Sequence, residues 1–393
     1  MKYDFDEILN RRGTDCVKWD DLKSIFGRDD LISMWVADMD FRTPPCIIKA
    51  IQERLDNGVL GYTLAPSAWY KSIVRWQKNQ HNWDIKPEQI LHLPGIVRGL
   101  AFAIQCFTQP GDRVMVMPPV YHPFFLVTEN NHRQVVYSPL ILENDQVSID
   151  FQRFEHDIDG CKVLILCNPH NPGGRVWTPR ELLQIASICE KHRVMILSDE
   201  IHCDLTLPPY RHTVFADVSE WARRHTITFM APSKTFNMPG ISSSFCVILD
   251  AELREQFHTY LEASELEMGN IFSYTATAAA FSEGSDWLDQ LKQYIIGNID
   301  FTENYLKEKL PCITMIRPQA SYLIYLNCNR LNMSQEELTD FFVNEAHLGL
   351  NDGTMFGKEG KGYMRLNVGC PKSILSQALD NLHEAVQKKY RNK

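Results

Sequence analysis

Five short, unbroken apolar runs constrain this chain more than any other feature. They are RVMVM (113–117), KVLILC (162–167), RVMILSD (193–199), TITFMA (226–231) and SFCVIL (244–249), with longer amphipathic stretches between them. An exposed antiparallel edge alternates apolar and polar residues, whereas runs this continuous need cover on both faces. The alternation therefore predicts an α/β fold, with βα units around a mainly parallel sheet. The stretch TPRELLQIASICEKH reads as one of the covering helices, since Thr178 can cap it, Pro179 opens its first turn and Glu181 stands three residues after the cap. At 393 residues the chain is long for one core, which predicts a large domain and a smaller one. After about residue 285 the texture changes: a long helical pattern (287–310) precedes the strand-like SYLIYLN and GYMRLNV and a terminal helix, the pattern of an α+β lobe. The N-terminal segment, with MWVADMDF, shows no helical or strand run of its own and is expected to pack on that lobe. The expected division is 46–285 for the large domain, and 1–45 plus 286–393 for the small one.

The bulk numbers exclude several classes. With 44% hydrophobic and 23% charged residues the chain is of ordinary globular composition. A net charge of −9 leaves no surplus of Lys and Arg to displace counterions from a nucleic acid. The start lacks an apolar signal core and no stretch is apolar long enough to span a bilayer, so a cytoplasmic protein is expected. The eleven cysteines are scattered without a CxxC spacing, which argues against a zinc site or a redox pair and for reduced packing residues; no metal is expected.

In open α/β sheets ligands bind beyond the carboxyl ends of the strands. Three of the runs end there in NPHNPGGR, DEIHCDL and PSKTFNMPG, which offer Asn171, Asp199 and Lys234. The set fits pyridoxal phosphate: a lysine to form the Schiff base, an acid to keep the pyridine nitrogen protonated, and a donor to the ring oxygen. Lys234 also has the small neighbours Ala231 and Ser233 and a turn at Pro239-Gly240, which leave room for a ring against the backbone. Phosphate needs backbone donors, and Gly95 leads into a helix with apolar spacing at Ile96, Leu100, Ile104 and Phe107, so the amides of Ile96 and Val97 are candidates.

The ordered series MWVADMDF, GYT, LPGIVRGL, PPVYHPF, CNPHNPGGRVW, SDEIHCDL, PSKTFNMPG and YMRLNVGCP resembles the fold-type I pyridoxal-phosphate enzymes of the aspartate aminotransferase superfamily. Within them it is similar to the cystathionine β-lyase and cysteine-S-conjugate β-lyase branch. The resemblance implies a seven-stranded, mainly parallel sheet and a homodimer with active sites at the subunit interface. It places Asp199 on the pyridinium nitrogen, Asn171 on the ring oxygen and near substrate, and Tyr121 stacked on the ring and available for proton transfer; Ser233 is a candidate for the phosphate partner that the resemblance leaves open. It makes Tyr62 a residue that reaches the partner's cofactor. Arg365 becomes the partner of the substrate α-carboxylate, with Ala37 beside it. His202 and Asp204 are expected either to shape the cofactor pocket or to pair with each other. Many aminotransferases of the superfamily carry an arginine where this chain has Ser242, a departure that suits the lyase branch. The implied reaction is cleavage of L-cystathionine or a related conjugate to a thiol, pyruvate and ammonia. Transamination is the runner-up, and a non-catalytic regulatory protein a remote third.

Overall fold

The structure, a computed structural model, describes residues 2–391. Seven strands form its main sheet: β1 (Ile90–Leu93), β2 (Arg113–Val116), β3 (Gln134–Tyr137), β4 (Cys161–Cys167), β5 (Met195–Asp199), β6 (Thr226–Met230) and β7 (Ser244–Val247), in the order β1-β7-β6-β5-β4-β2-β3. All neighbouring pairs are parallel except those of β7, which runs antiparallel to both β1 and β6. The aspartate aminotransferase-like sheet expected from the sequence is present. The interior position of β7, flanked by a strand on each side, reconciles its continuous apolar run with its antiparallel direction.

Strand β4 shows why the apolar runs carry the fold. Val163 and Ile165 enter one buried cluster with the helix that follows β1, while Leu164 and Leu166 enter a second cluster on the opposite face. Alternate side chains thus leave the sheet in opposite directions and both sets are covered. Strands β1 and β3 went unread because ILHL carries a histidine and QVVY begins and ends with exposed residues.

Eight helices matter for the site: α1 (Pro45–Asp56), α2 (Ser67–His81), α3 (Ile96–Phe107), α4 (Pro179–His192), the single turn α5 (Pro232–Thr235), α6 (Ile271–Glu283), α7 (Ser285–Lys309) and α8 (Lys372–Arg391). Helix α4 starts as its sequence requires: Thr178 Oγ1 accepts from the Glu181 N–H at 3.2 Å, and the Glu181 carboxylate accepts from the Thr178 N–H at 2.7 Å. The second sheet comprises β8 (Thr314–Ile316), β9 (Leu323–Asn327), β10 (Asn351–Asp352) and β11 (Tyr363–Asn367), in the antiparallel order β8-β9-β11-β10. The N-terminal segment touches this part of the chain: Ile32–Ser33 pairs with Leu348–Gly349, and Phe5 packs edge-on to Trp287. Contrary to expectation it also has short helices of its own, Val17–Asp20 and Leu22–Phe26. They are too brief to show a helical period.

Candidate active site

The carboxyl ends of β4, β5 and β6 open into one cleft of about 270 Å³, which Asn171, Asp199 and Lys234 all line. Ala37, Gly95, Ile96, Val97, Tyr121, His202 and Ser233 line it too, so ten of the candidate site residues meet there. Arg365, Tyr62 and Asp204 do not line it. Arg365 stands behind Asn171, and Tyr62 projects fully exposed from the loop between α1 and α2.

Lys234 sits in α5, directly after β6, so the strand delivers its amine to the cleft. The Nζ donates to the Ala37 carbonyl at 2.6 Å. Desolvation lowers its pKa to about 8, against the pull of Asp38 and Asp199 in the other direction. Asp199 ends β5 and is buried; among the described residues its carboxylate accepts one hydrogen bond, from the Ile201 N–H at 3.1 Å. Burial raises its pKa to about 7, a value the Ile201 bond and Lys234 moderate. A buried carboxylate so poorly satisfied calls for a cationic N–H, and a pyridinium nitrogen is one.

Arg365 comes from the middle of β11 and is 5% exposed. It donates to Asn171 Oδ1 at 3.1 Å, to the Trp35 carbonyl at 3.0 Å and to Asn351 Oδ1 at 2.6 Å, and its guanidinium lies 4.8 Å over the Phe356 ring. No carboxylate pairs with it among the described residues, and its Nε is buried without a partner. Burial lowers its pKa to about 10, leaving it charged at neutral pH. A buried cation held only by neutral groups is an anion site. Because arginine can only donate, it fixes Asn171 with Oδ1 toward itself and leaves the amide Nδ2 to face the cleft.

Another part of the cleft wall suits a phosphate. Gly95 precedes α3 with φ 151°, a conformation a side chain would resist, and the first-turn amides of Ile96 and Val97 have no acceptor within the helix. Ser233 and Ser243 line the cleft as well, and among the described residues Ser243 Oγ is buried without a partner. A lysine, a buried acid, an amide donor, an orphan hydroxyl and helix amides together fit pyridoxal 5′-phosphate. His202 lines the cleft as a neutral ring, burial pushing its pKa down to about 3. Tyr121 lines it from beyond β2, its phenol pKa raised by burial.

One expected pairing fails. Asp204 does not pair with His202; it accepts from His81 Nε2 at 2.8 Å, Trp76 Nε1 at 2.9 Å and Thr235 Oγ1 at 3.1 Å. Only one residue separates the two in the motif, yet His202 lines the cleft while Asp204 is engaged by α2 and α5. Trp35, Asn351, Phe356 and Ser243 were not picked out from the sequence. Asn351 reaches Arg365 because β10 pairs with β11 in a register that sets the two opposite each other, which no local motif encodes.

All eleven cysteines are free, and no described helix is long and apolar enough to cross a membrane. The profile of the aminotransferase class I and II family matches residues 29–382. The chain is 41% identical to cystathionine β-lyase PatB of Bacillus subtilis, over 97% of this chain and 99% of that one. Among solved structures it superposes on cystalysin from Treponema denticola, which contains pyridoxal 5′-phosphate, with TM-score 0.96 and 34% identity over 99% of this chain and 100% of the other. A pyridoxal-phosphate-bound C–S lyase from Staphylococcus hominis matches with TM-score 0.91 and 31% identity over 98% of each chain. With its sheet, its cleft and its sequence in agreement, the chain belongs to the class I and II aminotransferase family of pyridoxal-phosphate enzymes.

Proposed function

We propose that the chain is a pyridoxal-phosphate-dependent C–S β-lyase that cleaves L-cystathionine or a related L-cysteine S-conjugate. For cystathionine and one water, the products are homocysteine, pyruvate and ammonia. The observation that carries the reading is Arg365, a buried guanidinium with no acidic partner among the described residues, close enough to lower the pKa of Lys234. It offers the substrate α-carboxylate a charged, oriented partner and so holds the α-carbon near the lysine amine. The names of PatB and of the Staphylococcus hominis lyase support the reaction class.

When bound, pyridoxal phosphate supplies an electron sink for negative charge at the α-carbon. The protein's own groups do the rest. Lys234, with a pKa near 8, is partly neutral at physiological pH and takes the α-proton. Asp199 would hold a compensating negative charge for the cofactor's ring nitrogen. Lys234 or the Tyr121 phenol then delivers a proton to the departing sulfur. Asn171, locked by Arg365, would donate to the cofactor's ring oxygen and help orient the substrate.

The site is completed by a second copy of the chain in this reading. Tyr62 and its neighbours Val59, Leu60 and Leu64 are all exposed, an apolar strip that a partner subunit would cover while Tyr62 enters its phosphate site. Eleven free thiols suit the reducing cytoplasm.

The deciding experiment incubates the protein with L-cystathionine without any keto-acid acceptor and assays thiol, pyruvate and ammonia. Continuous release of all three is expected. Turnover that begins only on adding 2-oxoglutarate would make the enzyme an aminotransferase instead.

A further inference from the structure

Two carboxylate–histidine pairs are buried side by side at a second cavity, which His81, Asp204 and His212 line. In one, His81 Nε2 meets Asp204 at 2.8 Å, with both side chains 4% exposed. In the other, His212 Nε2 meets Glu200 at 2.6 Å, with side chains 1% and 0% exposed. The two imidazoles meet edge to face, 5.3 Å between centroids. Each acid is tied to an element that carries a cofactor-site residue. Glu200 follows Asp199 in the chain, accepts from Ser198 Oγ at 2.7 Å on the other side of it and takes the Phe215 N–H at 3.0 Å. Asp204 accepts from the hydroxyl of Thr235, the residue after Lys234.

We propose that Asp204, backed by His81, is a positioning residue that holds the α5 turn through Thr235 and thereby aims Lys234 into the cofactor cleft. The proposal rests on the reading of Lys234 as the cofactor lysine. Its physical basis is the geometry of α5, a four-residue helix with no side-chain cap on Ala231. So short a helix has almost no hydrogen-bond ladder of its own and takes its orientation from what grips it. Within it, Thr235 is fully buried and its hydroxyl donates to a carboxylate, a bond stronger than one to a neutral acceptor. Asp204 can serve as anchor because three donors from two distant parts of the chain fix it: Trp76 and His81, both on α2, and Thr235. Its acid is held below the usual carboxylate range by His81 and Trp76.

Proximity of His81, Cys203 and Asp204, whose ligand atoms lie within 4.8 Å of one another, suggests a metal site at first sight. The surroundings suit a clamp better. The Asp204 oxygens already accept from three donors, and the Lys292 ammonium lies close enough to help hold the acid's pKa down, so a further cation is disfavoured. Burial also holds the Cys203 thiol well above its ordinary pKa.

The test removes one hydroxyl without taking a charge out of the core. Thr235→Val and Thr235→Ser are compared with wild type for equilibrium affinity of the cofactor-free protein for pyridoxal phosphate, for kcat and KM on L-cystathionine, and for thermal midpoint. Misaiming a reacting group by a fraction of an ångström to an ångström costs one to two orders of magnitude, so Thr235→Val should lose about tenfold in cofactor affinity and about tenfold in kcat, with KM within about twofold. Thr235→Ser should restore both to within about twofold. His81→Gln, which keeps a donor but drops the ring, should fall between them. Wild-type cofactor affinity and kcat in Thr235→Val would overturn the proposal, and so would equal losses in the valine and serine variants, since that pattern reports packing alone. An inactive wild-type chain would overturn the lyase reading only, because the affinity measurement needs no turnover.

Discussion

Two buried clusters of charge lie a few residues apart in this molecule and are built in opposite ways. Around the N-terminal segment, Lys18 meets Asp40 at 2.7 Å, while Arg11 meets Asp38 at 2.7 Å and Asp40 at 2.8 Å; the Trp19 indole adds a bond to Asp40 at 3.0 Å. Two cations face two acids and the account closes. At the cleft and just behind it, Lys234, Asp199 and Arg365 are all desolvated, yet none of them forms an ion pair among the described residues. The contrast separates scaffold from site: a paired buried charge is complete, and an unpaired one calls for a ligand. The clusters are also connected. Residues 36–41 carry Asp38 and Asp40 on one side and present the Ala37 carbonyl to Lys234 on the other, and Asn367 and Asn237 pin the same segment by its Val36, Asp38, Met39 and Phe41 carbonyls.

The largest effect expected from breaking the open cluster is at Lys234. Lys234→Ala should abolish covalent trapping of the cofactor by borohydride and lower turnover by about 10⁴-fold or more, since both covalent attachment and proton transfer are lost. A covalent adduct in the variant would move the site to another lysine. Next comes Arg365→Met, which should lower kcat/KM by about 10²- to 10³-fold through loss of a charge-assisted carboxylate contact. The same variant should change folding stability by no more than about 1 kcal/mol, because removing an uncompensated buried cation offsets the hydrogen bonds lost at Asn171 and Asn351. Denaturant unfolding and steady-state kinetics on one preparation would decide both halves.

Lys18→Met tests the closed cluster and should reverse that pattern. It leaves Asp40 short of a partner in the core, so stability should fall by roughly 3 kcal/mol. KM per folded molecule should stay near wild type, because Lys18 does not line the cleft. A variant with wild-type stability but raised KM would show that the cluster is part of the site after all.

The same contrast explains what was legible in the sequence. Lys234, Asp199 and Asn171 stand just past apolar strands, so chain-local pattern and the geometry of a parallel sheet place them together. Arg365 carries no such mark: its strand gives no hint of Trp35, 330 residues away in the chain, or of Asn351 across the ladder. Asp204 was visible in its motif, but its partner was not, because His81 lies 123 residues earlier at the end of another helix. Long-range register and packing decide such pairs, and short patterns do not encode them. Tyr62 is a third kind of case, since its ring is left fully exposed among the described residues of a single chain.

The smallest expected effect is a slope of stability with pH, and its sign differs between the clusters. Asp40 is held below its ordinary pKa, mainly by Lys18 acting against burial, so its contribution is fully present above the unfolded value near 4 and is lost as pH falls through its lower folded value. Asp199 behaves in reverse. With its pKa raised to about 7, the folded, cofactor-free protein binds a proton there that the unfolded chain releases above about 4. Between those values the native state holds more protons, so stability should fall as pH rises from 5 to 7, by at most about 1.4 kcal/mol per pH unit from this one group. Urea midpoints of the cofactor-free protein at pH 5, 6 and 7 would measure the slope, and Asp199→Asn should flatten it. Saturating pyridoxal phosphate should flatten it too, because a ring cation beside the carboxylate restores the balance that the N-terminal cluster already has. Parallel slopes in wild type and Asp199→Asn would mean that the acid is charged in the empty cleft, and that the two clusters differ less than their geometry indicates.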